Sequence, residues 1–74
     1  MQKKYVCRIK IVRTNPYDPA PPSPWYCIGG EIYEDKVALI YERIVYEDEI
    51  DEALKDIMEL YGKVRILYKI IQEI

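Results

Sequence analysis

Seventy-four residues, half of them apolar and 32% charged, with a formal net charge of −2, describe a single small globular domain rather than a disordered chain. Such a chain should keep about 4,800 Å² of surface when folded and bury about 60% of what the unfolded chain exposes. A core of that size is marginal without a staple or a partner. There is no His, one Ser (Ser23), one Thr (Thr14) and one Asn (Asn15), so neither a Ser-His-Asp nor a Cys-His arrangement can be built within one chain.

The remaining inventory narrows the chemistry further. A zinc site would need ligands beyond Cys7 and Cys27. Gly29-Gly30 lacks the third glycine and the Lys-Ser/Thr of a phosphate loop. No enzymatic activity, metal, cofactor or small-molecule substrate is expected. No apolar run approaches the 18 residues of a membrane span, and Arg8 and Lys10 interrupt the stretch behind the basic start, so neither a membrane partner nor a signal peptide is expected. That points to a cytoplasmic protein. Many Ile, Glu, Tyr and Lys with few Asn and Gln make a bias of the hyperthermophile kind, which AT-rich coding also produces. An archaeal or viral origin would fit it.

Residues 3–13 alternate Tyr5, Cys7, Ile9 and Ile11 with Lys4, Arg8 and Lys10, the period of a strand. Residues 14–24 hold all five prolines within nine positions, which forbids helix and regular sheet pairing and predicts a stiff, extended loop. Trp25 follows at once, with Tyr17 and Tyr26 nearby, an aromatic group suited either to contact or to closing the core. Residues 25–33 read as a second strand, in which Gly29-Gly30 suggests a bulge or a place where another backbone approaches closely. Glu34-Asp35-Lys36 suggests a tight turn. Residues 37–46 also fit helical spacing, but six of the ten are Val, Ile or Tyr, which favours a third strand.

Residues 48–61 carry Ile50, Leu54, Ile57, Met58 and Tyr61 as one apolar stripe at helical spacing. Asp48 is the expected cap, Asp51 and Lys55 an expected ion pair, and Gly62 the expected stop. Residues 63–73 return to strand period, with Val64, Ile66, Tyr68 and Ile70 expected on the buried side and Arg65, Leu67, Lys69 and Ile71 on the other. The order β-β-β-α-β predicts a two-layer α+β domain over residues 1–74: a four-stranded, mainly antiparallel sheet, its first three strands a meander, with one helix on one face. Cys7 and Cys27 fall out of register for a hairpin disulfide, so buried free thiols are expected.

The charge divides between elements. Residues 47–59 carry −6 and the rest of the chain +4. If the first and last strands are neighbours, Lys4, Arg8, Lys10, Arg65 and Lys69 cluster on the sheet face away from the helix, with Val6, Val12, Leu67 and Ile71 among them. Such a face suits contact with a protein partner or a second copy of the chain. The expected contact residues are Val6, Arg8, Lys10, Arg65, Leu67 and Lys69 on the sheet, with Tyr17 and Trp25 at the loop. Single-stranded nucleic acid on the same basic face is the alternative. A third reading is an inhibitor whose acidic helix imitates phosphates.

Overall fold

The computed structural model describes residues 2–14 and 17–74. Asn15 and Pro16, part of the predicted proline loop, lie outside the described residues. The chain forms strands β1 (Lys4–Val12), β2 (Tyr26–Tyr33), β3 (Lys36–Tyr46) and β4 (Ile66–Glu73), with helix α1 (Ile50–Tyr61) between β3 and β4. Single 3-10 turns at Glu47–Glu49 and Lys63–Arg65 flank the helix. The α+β architecture is that expected, and residues 37–46 are strand.

The strand order is β2-β3-β1-β4, with all pairs antiparallel. β1 and β4 are neighbours, but the first three strands are not a simple meander. The proline-rich segment carries the chain past one strand position, and β3 inserts between β1 and β2. Residues that cannot donate to a ladder make a crossover more readily than a hairpin. Trp25 closes a turn onto the Pro22 carbonyl at 3.0 Å, and the Ser23–Pro24 bond is cis.

β2 and β3 are joined through Glu34 and Asp35, both at positive φ (48° and 66°), the mark of a two-residue type I′ hairpin. The β2–β3 register shifts between Cys27 and Gly29, so a bulge is present, with Ile28 as its extra residue, one position before the expected Gly29-Gly30. Leu39 and the Ala38 carbonyl approach Gly30 closely enough, at 3.1 and 3.2 Å from an added Cβ, to disfavour any side chain there.

The core forms between α1 and the middle of the sheet. It comprises Cys7, Ile9 and Ile11 of β1, Val45 of β3, Ala53, Ile57 and Tyr61 of α1, and Trp25. Ile50, Leu54, Tyr5, Tyr41 and Ile66 pack around it. Met58, expected in the stripe, lies on the exposed shoulder of the helix. The helix start differs from expectation: Asp48 accepts from the Gln2 side chain, and Glu49 instead receives the Tyr46 amide at 2.9 Å. Lys55 turns to Glu59 rather than Asp51. Gly62, with φ of 81°, ends the helix through its amide on the Met58 carbonyl.

Cys7 and Cys27 are both free, as expected, with β3 between their strands. Cys7 is buried but Cys27 is exposed, because β2 extends beyond the cover of the helix and all eight of its residues are exposed. Among the described residues, no helix is long and apolar enough to cross a membrane.

Candidate interaction surface

Side-chain direction follows from the register, because residues directly opposite one another in an antiparallel pair share a face. Cys7 and Ile9, which face the helix, oppose Ile71 and Lys69 of β4. Arg8 opposes Ile70, and Lys10 opposes Tyr68. Between Lys10 and Ile11 the register shifts, and Leu67 is the extra residue. That bulge reverses the parity of β4. Ile66 packs on the core, whereas Tyr68 and Ile70 point away from the helix.

The predicted set of contact residues is therefore divided. Val6, Arg8 and Lys10 lie together on the face away from the helix, here termed the open face. Lys69 lies on the opposite face, in the overhang of β4 beyond the helix, and Leu67 is half-buried at the bulge. Arg65 belongs to the turn after the helix, where it donates from Nε to the Val12 carbonyl at 3.2 Å, pairs with Asp18 and lies over the Tyr61 ring at 5.3 Å. Its role is to close the end of the core. Trp25, only 6% exposed, is part of the core rather than a surface anchor. Tyr17 is 91% exposed on the loop. The cluster of five cations on one face does not exist.

The open face mixes apolar and aromatic side chains with charged ones. β1 supplies Lys4, Val6, Arg8, Lys10 and Val12; β3 supplies Lys36, Ala38, Ile40, Glu42, Ile44 and Tyr46. Tyr68, Ile70 and Gln72 come from β4, and Tyr26, Glu31 and Tyr33 from β2. Ile44 is 53% exposed, and Ile70, Tyr26, Tyr33 and Tyr46 are exposed as well. Sequence parity misassigned Tyr68 and Ile70 because one bulge shifts every later side chain to the other face.

The charges on this face are mostly paired. Glu42 accepts from Arg8 Nε at 3.1 Å and Nη2 at 2.9 Å, and from the Tyr26 hydroxyl at 2.9 Å. The Arg8 bonds, then the Tyr26 bond, hold the Glu42 carboxyl below the usual glutamate range. The same contact with Glu42 raises the Tyr26 phenol. Lys10 pairs with Glu31 and lies 4.9 Å from the centre of the Tyr68 ring; Lys4 lies 5.6 Å from that of Tyr46.

On the helix side, a cleft lies at the end of the sheet, lined by Ile11, Arg13, Asp18, Leu39, Tyr41 and Tyr61 among others. Its volume is about 60 Å³. The Tyr61 hydroxyl donates to the Pro19 carbonyl across it, and burial pushes the Tyr61 phenol up to about 12. These contacts bind the loop to the core.

Comparison of the chain with protein-family models, curated proteins and solved structures found no match.

Proposed function

We propose that this chain is a small non-enzymatic interaction module that acts by protein–protein contact, first of all with a second copy of itself. The observation that carries this reading is the extent of apolar surface left uncovered by a single helix. The folded surface is 5203 Å², above the roughly 4,800 Å² expected for this mass, and the molecule is elongated at 44 × 20 × 19 Å. Exposed Ile44, Ile70, Tyr26, Tyr33 and Tyr46 on the open face, with Ile71 on the overhang, form apolar ground of the kind that a second layer or neighbour covers. Arg8 is paired with Glu42 and Lys10 with Glu31, which leaves Lys4 and Lys36, toward the ends of the face, as its cations without a carboxylate partner among the described residues.

Molar mass in solution, measured at moderate and high salt, tests this. A dimer or larger species that persists at high salt is expected, because apolar burial and backbone bonds are not screened. A monomer throughout overturns it.

Single-stranded nucleic acid remains a second reading, favoured by Tyr68 beside Lys10 and Tyr46 beside Lys4 on the open face, where bases could stack. Against it, Arg8 and Lys10 already hold carboxylates. Titration of labelled single-stranded DNA and RNA at low salt decides; binding that collapses as salt rises would support this second reading.

A further inference from the structure

We infer that the second copy pairs with this chain through the free edge of β4, antiparallel about a two-fold axis at Ile71, to give a continuous eight-stranded sheet. This rests on the self-association reading but places the seam at the sheet edge beside Ile71, leaving the open face free.

The backbone identifies the residues that can pair. The Ile74 amide donates to the Lys4 carbonyl at 3.0 Å. In an antiparallel ladder such bonded pairs alternate, so Ile74, Gln72, Ile70 and Tyr68 turn their amides and carbonyls toward β1. Lys69, Ile71 and Glu73 therefore turn theirs outward. An edge of this kind is a template for another strand. The opposite edge, β2, has its bulge and Gly29-Gly30 in mid-strand, whereas the bulge of β4 at Leu67 precedes the outward-turned residues Lys69, Ile71 and Glu73.

The side chains select the register. Pairing centred on Ile71 sets Ile71 against its own copy and Lys69 against Glu73 of the other chain, twice by symmetry. All three residues lie on the same face, in the overhang beyond the helix. Ile71, 45% exposed in the single chain, is then covered by its counterpart between two ion pairs. A register one pair away, centred on Ile70, would set Lys69 against Ile71 and lose both charge matches. A lone lysine on an edge strand discourages pairing, but here each lysine meets a carboxylate. The bond that Glu73 makes in the single chain, to Lys3 at 3.8 Å between two half-exposed side chains, is weak enough to be exchanged.

Four strands about 4.8 Å apart and about eight residues long present roughly 500 Å² of open face in projection. Joining two β4 edges leaves both open faces on the same side and doubles that platform.

Charge exchange tests the register, read by sedimentation equilibrium. Lys69→Glu alone and Glu73→Lys alone each set like charges opposite one another twice and should weaken the dimer about tenfold or more. The double exchange, Lys69→Glu with Glu73→Lys, restores opposite charges and should recover the original constant, which also shows that the single variants were folded. A dimer that ignores both single changes but is lost on Ile44→Asp overturns the β4 edge while leaving self-association in place. A chain that stays monomeric up to about 1 mM overturns both.

Discussion

Glu42 shows how much one residue organises here. Its carboxylate gathers Arg8 and Tyr26 from strands on either side of β3, at 2.9 to 3.1 Å, with 16% of the side chain exposed. Because Glu42 is held below the usual glutamate range in the folded chain, its contribution is fully present above the unfolded value of about 4.3. It is lost as pH falls through the lower folded value. Urea denaturation at successive pH values should therefore show stability declining through this acid window, and Glu42→Gln should flatten that decline. An equally steep decline in the variant would place the acid sensitivity in other carboxylates. Arg65 is the complementary case, a predicted contact residue whose guanidinium is committed to Asp18, the Val12 carbonyl and the Tyr61 ring.

The elements divide into those set by local pattern and those set by neighbours. α1 is legible from its stripe and from Gly62, and β1 and β3 from alternation and β-branched content. The β2–β3 turn is legible as a turn but not as this one, because Glu34 and Asp35 are unusual at positive φ. Replacing the pair with Asn-Gly, which adopts that geometry at little cost, should stabilise the chain by about 1 kcal/mol, measured by urea denaturation. No gain would mean that the two side chains contribute more than their backbone costs. β4 is the element that periodicity misreads: its bulge at Leu67 puts Ile66 on the core and Tyr68 on the open face, although both have the same parity in sequence.

For the whole molecule, a sheet of four strands with one helix leaves both edges and one face without cover. Linkage then predicts a concentration-dependent melting temperature, since a partner that binds only the folded state stabilises it by mass action. Scans across a hundredfold range of protein concentration should show Tm rising, with the rise reduced in Lys69→Glu. A constant Tm would mean that the chain folds without a second copy.

Composition and periodicity alone determined the α+β class, the order of the elements, the lack of histidine-based chemistry and the acidic character of the helix, because these depend only on which residues stand where along the chain. The tertiary structure decided which cations share a face. Arg8 and Lys10 stay together on the open face, Arg65 closes the core, and Lys69 points to the other side. A strand's alternation specifies two faces but not which is which after a bulge, and a one-residue shift in hydrogen-bond register leaves no mark on hydrophobic spacing. The insertion of β3 between β1 and β2 is likewise a matter of pairing between distant segments, which only the folded chain expresses.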